Sequence, residues 1–370
     1  MVSAKEKSKQ LHAYEPDYSV PPGETLRETI ESLGLTQAEL ATRAGLSTKH
    51  VNQIIKGAAA ISPDVARRLE NATGVPARIW NSLESNYREQ VLRVAERAEL
   101  AKDIDWLKEP AIKELIRRGL VKRHSDPGTQ LEQVFRFFGV ADREAWDRTW
   151  RKPQASFRVS QAFDIDQIAL AGWLRWGEIE AQGVGVQCAE FDKDKFRATL
   201  SSIRELTTKD PQAFEPQMRE LCAESGVVLA LVPEITGARA SGAARWLTPT
   251  RGIIQLSLRY RWEDHFWFSF FHEAGHLLLH GKRDVFIDQP NGSTDEFEIE
   301  ANKFAQDLLI PPSHDSLLPN LKTAHEIRTF ANLIGIAPGI VVGRLQRESL
   351  LSYNQFNNLR RRFTLSSSEN

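Results

Sequence analysis

From residue 24 to residue 100, apolar residues recur every three or four positions, the spacing of short helices that each bury one face. In "PPGETLRETIESLGL", Leu26, Ile30 and Leu33 share a face and Gly34 supplies the stop. "TQAELATRAG" follows, with Thr36 as N-cap and Glu39 three residues on, a reciprocal capping pair. Gly45 turns the chain into "LSTKHVNQIIKG", capped by Ser47, with Val51, Ile54 and Ile55 inward. "SPDVARRLENATG", with Ser62 as cap and Pro63 in its first turn, and "ARIWNSLESNYREQVLRVAERAELAK" complete five helices. They predict a compact all-α bundle over 21–100 after a solvated tail, 1–20. Helical periodicity continues through 101–195, in "EPAIKELIRRGLVKRH", "TQLEQVFRFFGV" and "DQIALAGWLRWGEIEAQ", and predicts a helical connector.

After about residue 196 the pattern changes. "GVVLALVPEI" and "RGIIQLSLRY" are short β-rich runs bounded by Gly and Pro, with "SGAARWLT" a weaker strand between them. The apolar helix "FSFFHEAGHLLLHG" follows, then a polar loop at 284–295, then "DEFEIEANKFAQDLLI", stopped by Pro311 and Pro312. An α+β domain over 196–350 is expected, with 351–370 a tail and "RRRF" (360–363) read as its solvated basic end in preference to a phosphate contact. "AHEIRTFANLIGIAPGIVVGRLQRE" repeats the helix–glycine–helix rhythm. Ile336, Ile340, Val341 and Val342 stand where a DNA-reading helix would be polar, so this pair should pack inside its own domain.

With 370 residues the chain is long for one core and implies two or three domains. A net charge of -1 confines any nucleic-acid surface to a local patch. Two cysteines, Cys188 and Cys222, exclude a disulfide framework or a cysteine-rich zinc site and are expected as buried free thiols. The N-terminal "MVSAKEKSKQLHAYEP" is charged, and no apolar run reaches membrane-spanning length. A cytoplasmic protein with no membrane partner is the expectation.

Two short helices joined through a glycine turn form a helix-turn-helix unit, whose second helix can enter the major groove. That helix carries Ser47, Thr48, Lys49, Asn52, Gln53 and Lys56 on a polar face suited to base edges, and Gln37 is placed to touch a phosphate. Between residues 36 and 68, five Lys/Arg stand against two Asp/Glu. A solvated protein-interaction face is the alternative. The stretch from "PPGETLRETIESLGLTQAELA" through "IIKG" to "IWNSLESNYRE" resembles the HigA-type branch of the XRE helix-turn-helix family. That resemblance implies a homodimeric repressor on double-stranded operator DNA, often the antitoxin of a toxin–antitoxin pair.

In "HEAGH", His272 and His276 lie one turn apart and can both present a ring nitrogen to one tetrahedral ion. Glu273 falls beside the ion, where it can take a proton from a water that the metal acidifies. A third protein ligand is required. His280 is two turns from His272, about 12 Å along a straight helix, so it is read instead as a helix-end histidine against the last carbonyls. Glu298, with Asn302 one turn on to support a ligand by hydrogen bonding, is the other candidate. Glu300 points elsewhere and Glu296 sits at the frayed start; a solvated helix-start carboxylate is the competing reading of Glu298.

"HEAGHLLLHG" followed by "EIEANKFAQDLLIPP" resembles the ImmA/IrrE family of gluzincin-like zinc metallopeptidases. The resemblance implies one Zn2+ per chain on His272, His276 and Glu298, with Glu273 as catalytic base. An oxyanion-stabilising residue stays open among Tyr260, His265, His314 and His325. The expectation is a multidomain protein: a helix-turn-helix bundle, a helical connector and an α+β zincin-like (gluzincin) metallopeptidase domain. It would cleave a regulatory protein, a repressor or an antitoxin. The alternative is a non-catalytic autorepressor or antitoxin whose zincin-like domain binds a toxin or repressor partner or senses a signal.

Overall fold

A computed structural model describes residues 20–151, 165–183, 188–281, 286–288 and 296–364. The chain divides into two compact units, with the boundary between Asp103 and Ile104.

The first unit holds α1 (Pro22–Ser32), α2 (Gln37–Ala44), α3 (Thr48–Ile55), α4 (Pro63–Thr73) and α5 (Ala77–Asp103). The caps form as the sequence predicts. The Thr36 hydroxyl accepts from the Glu39 N–H at 3.2 Å while the Glu39 carboxylate accepts from the Thr36 N–H at 2.8 Å. Ser47 and Ser62 cap α3 and α4 by accepting from the His50 and Val65 N–H groups. Gly45, at φ 64°, takes the left-handed turn between α2 and α3 that an L side chain resists. Leu26, Leu40, Val51, Ile54, Leu69 and Trp80 are buried completely in the resulting core. Leu33, expected inward, is exposed: it is the residue at which α1 ends, just before Gly34 turns the chain away.

The second unit opens with α6 (Pro110–Arg117), α7 (Pro127–Phe138), α8 (Gln167–Gly183), α9 (Lys193–Glu205) and α10 (Pro211–Glu224). It continues through β1 (Val227–Leu231), β2 (Gly242–Thr248), β3 (Arg251–Leu256), α11 (Glu263–Leu279), β4 (Phe286–Asp288), α12 (Glu296–Leu309), α13 (Ala324–Ile334) and α14 (Pro338–Arg347). The three expected strands and a fourth, β4, form a mixed sheet of order β1-β3-β2-β4, β1 parallel to β3 and the other pairs antiparallel. The short β4 lies in the stretch read from sequence as a loop. It is held by pairing with β2, which no local pattern announces.

Alternate strand residues face opposite sides, and both sides are covered. Val227, Leu229, Ala244, Ile254 and Leu256 join the core around α11, where Trp267, Phe270 and Phe271 are fully buried. Each of those rings contributes about 1.5–3 kcal/mol by leaving water. The opposite face meets α8. Gln255 donates to the Trp173 carbonyl at 2.6 Å, and Arg245 donates to the Leu174 carbonyl and pairs with Glu178. From α6, Glu114 accepts from the Thr236 N–H at 3.1 Å. The described part of 104–183, within the stretch read as a connector, is thus built onto the sheet as part of the second unit.

Of the "RRRF" end only Arg362 is exposed; the other three residues are packed. Arg360 grips Asp264 through two bonds of 2.8 and 2.9 Å, Arg361 pairs with Glu263 at 2.5 Å, and Phe363 is buried. Both carboxylates lie in the first turn of α11, where acidic groups complement the helix dipole. Gly339 and Gly343 of α14 make room for them, since a Cβ there would stand 2.1 Å from Glu263 Oε1 and 2.3 Å from Asp264 Oδ2. Ile336, Ile340, Val341 and Val342 are buried, so α13 and α14 pack within this unit as expected. Of the free thiols, Cys222 is buried and Cys188 only half-buried. Among the described residues, no single helix is long and apolar enough to cross a membrane.

Candidate metal centre and nucleic-acid interface

Helix α11 is buried on nearly every side, which places its ionisable residues in low dielectric. His272, Glu273 and His276 are each at most 1% exposed. The seam beside them is narrow because Gly275 faces Ala301 and Phe304, so α12 approaches closely and Glu298 reaches the two histidines. His272 Nε2 lies 3.2 Å and His276 Nε2 3.3 Å from the two Glu298 oxygens, and the two Nε2 atoms are 2.9 Å apart. Ligands about 2.0–2.1 Å from a tetrahedral zinc are separated by about 3.3–3.4 Å. The three atoms therefore come close to one face of such a tetrahedron, and their group fits a divalent ion.

The protonation states agree with that fit. Burial pushes the His276 imidazolium down to about 4, with the Glu298 hydrogen bond opposing. Burial pushes the Glu298 carboxyl up, but hydrogen bonds from His272 and His276, with their charge, outweigh it and hold it at about 2. A neutral imidazole and an ionised carboxylate are what metal ligation requires at neutral pH.

Glu273 stands outside this trio. Its carboxylate lies against the start of β2, where a Cβ on Gly242 would come within 2.6 Å of Oε1. Asn302 is half-buried one turn beyond Glu298, and among the described residues it hydrogen-bonds to none of the trio. His280 and Glu300, both set aside on sequence grounds, join the centre's surroundings. The His280 ring does not turn to the last helix carbonyls. It lies 2.9 Å from His276 Nδ1, one turn back, and 3.2 Å from the Glu300 carboxylate.

An open cavity of about 510 Å³ reaches Glu298 and Asn302. Tyr260 and His265, stacked at 4.6 Å, line its mouth. His314 lies instead beside Phe330, and His325 is exposed on α13. Leu309, Ile310 and Ile340 supply an apolar wall. Arg347 sits 4.7 Å over the Phe268 ring, which in turn stacks 6.1 Å from His272. Among the described residues Arg347 has no carboxylate partner, whereas Arg344 and Arg360 in the same lining are paired.

In the first unit, Ser47, Thr48, Lys49, Gln53 and Lys56 are exposed on or beside α3. Asn52 and Gln37 are half-buried, and Asn52 Nδ2 donates to Gln37 Oε1 at 3.3 Å. The two helices thus hold each other's polar ends on the face the sequence singled out. Ser47 already spends its oxygen on the α3 cap.

Residues 26–80 match the family described as helix-turn-helix (HTH_3), and residues 233–345 match the IrrE N-terminal-like domain (Peptidase_M78). Among solved structures, the antitoxin HigA of Pseudomonas aeruginosa with the higBA promoter is 30% identical. The match covers 22% of this chain and 90% of that one, with a TM-score of 0.21. A Nostoc punctiforme protein described as an antidote of a plasmid maintenance system is 25% identical over 23% of this chain and 92% of its own, with a TM-score of 0.22. Curated proteins give no match.

Proposed function

Because this chain carries a helix-turn-helix domain and an IrrE N-terminal-like domain of the Peptidase_M78 family, we propose that it is a DNA-binding regulator with a zinc-dependent endopeptidase activity. Its substrate is a regulatory protein, a repressor or an antitoxin. The observation that carries this reading is the convergence of His272, His276 and Glu298 beside a cavity large enough for a peptide segment.

One Zn2+ per chain would supply Lewis acidity for a water and for the scissile carbonyl. The protein's own groups do the rest. Glu273, buried next to His272, takes the proton of the attacking water and passes it to the leaving amine. Tyr260 and His265, at the cavity mouth, donate hydrogen bonds to the developing oxyanion. The apolar wall takes a substrate side chain, and Arg347 offers its charge to a substrate carboxylate. Asn302 lines the same wall and contacts the bound peptide or a ligand.

On DNA, Lys49, Asn52 and Gln53 address base edges, while Gln37, Ser47, Thr48 and Lys56 address the backbone. The protein acts in the cytoplasm as a homodimer on a two-fold operator. Zinc titration of chelator-stripped full-length chain, with bound metal counted by elemental mass spectrometry, tests the centre. One zinc per chain, lost in His276→Ala, is expected; a content well below one in the wild type overturns the reading. Zinc at full content with repression but no cleavage would favour the non-catalytic antitoxin.

A further inference from the structure

We propose that His280 and Glu300 are positioning residues, a hydrogen-bonded chain that fixes His276 in the tautomer that presents a bare Nε2 to the metal. The inference rests on the metal-site reading above and goes beyond it by assigning a task to two residues outside the ligand set.

Glu300 is about half exposed, and as a carboxylate it only accepts hydrogen bonds. Its Oε2 lies 3.2 Å from His280 Nε2, so that nitrogen carries the proton. A neutral His280 then has a bare Nδ1, which lies 2.9 Å from His276 Nδ1. Two ring nitrogens at that distance share one proton, so His276 Nδ1 must be the donor. When an ion takes the place of the proton that His276 Nε2 shares with Glu298 in the metal-free chain, this bond keeps the remaining proton on Nδ1 and leaves the lone pair on Nε2, the atom that faces His272 and Glu298. The chain thus favours, from outside the centre, the tautomer that metal ligation requires.

The geometry is held as well as polarised. The His280 side chain is 1% exposed, and the Phe297 ring packs on its edge at 4.7 Å. Phe297, Glu298 and Glu300 all belong to the first turn and a half of α12. One segment thus grips the histidine row from both sides, Glu298 at the Nε2 side of His276 and Glu300 beyond its Nδ1 side. A partner of this kind both orients the imidazole and makes it a better donor to the metal.

The test uses the full-length chain and two readouts independent of activity: zinc affinity by competition with a chelating indicator, and the visible spectrum of the Co2+-loaded protein. His280→Leu should lower zinc affinity about 10–100-fold and shift the Co2+ bands. His280→Gln, whose amide can accept from His276 and donate to Glu300, should restore most of both. Glu300→Gln, at an exposed position that does not threaten folding, should give a smaller loss in the same direction. If both His280→Leu and Glu300→Gln bind zinc like the wild type with unchanged Co2+ spectra, the inference is overturned. Equal losses in His280→Leu and His280→Gln also overturn it, since packing rather than hydrogen bonding would then matter. A wild type that binds no metal overturns the metal-site reading itself, and this inference with it.

Discussion

Replacing Arg361 with alanine should destabilise the second unit by about 3 kcal/mol, the lower end of the range for stripping the partner from a buried charge. Glu263 is completely buried, and Arg361 meets it through Nε at 2.5 Å. The effect stays at the lower end because Arg361 is about one-third exposed and its backbone N–H, 3.0 Å from Glu263 Oε1, survives the substitution. Burial already holds the Glu263 carboxyl above its ordinary range, against the hydrogen bonds and charge of Arg361. Without Arg361 it rises further. The folded chain then binds more protons than the unfolded chain between 4.5 and the raised value, so stability falls as pH rises through that window. The deficit of Arg361→Ala should therefore be largest near pH 8 and smaller near pH 5. Adding Glu263→Gln should recover part of it at pH 8. Urea titration read by hydrogen exchange of α11 peptides reports this unit alone. A loss under about 0.5 kcal/mol, or one indifferent to pH, would refute the reasoning.

Three further outcomes are expected. Gly242→Ala puts a methyl 2.6 Å from Glu273 Oε1, so turnover should drop on the order of 100-fold while zinc content stays at the wild-type level; lost zinc would show that the strand, not the base, had moved. In binding assays on the promoter of its own gene, Lys56→Ala should reduce the salt slope by about 1, while Gln53→Ala should cost about 1–3 kcal/mol and relax sequence preference; equal effects on unrelated DNA would contradict the base-reading role of Gln53. In the metal-free chain, His276 is held at about 4 against an ordinary 6.5, so the unfolded chain binds more protons between those values. Stability should be full above 6.5 and decline by about 3 kcal/mol as pH falls toward 4. Glu298, held down at about 2, extends the decline at lower pH, from 4.5 downward. Thermal melts of chelated protein measure both, and His276→Leu should flatten the upper window.

The sequence is most legible where signals are local. Thr36 with Glu39, Ser47, Ser62 and Gly45 mark their own helix ends, and each cap forms between residues three apart. His272 and His276 are legible for the same reason, one helical turn. Glu298 needed a second segment, supplied by family likeness rather than by periodicity. His280 could be excluded as a ligand by helix geometry. Its contact with His276 follows the one-turn spacing, but its contact with Glu300, 20 residues on and in another helix, is one that no spacing rule foretells. Arg360 and Arg361 were misread because their partners, Asp264 and Glu263, lie 96 and 98 residues away. The segment 101–195 reads as a connector because its helices are amphipathic on their own. Its docking depends on pairs such as Glu114 with Thr236, 122 residues apart.

Hydrolysis of peptide bonds at this centre is open to direct observation. The direct measurement incubates zinc-loaded full-length chain with the purified products of the adjacent genes, wild type beside Glu273→Gln at equal zinc content, and maps fragments by mass spectrometry. One discrete cut in one of those proteins by the wild type, and none by Glu273→Gln, is expected. Cleavage by both alike, or intact partners with zinc bound in full, would contradict it.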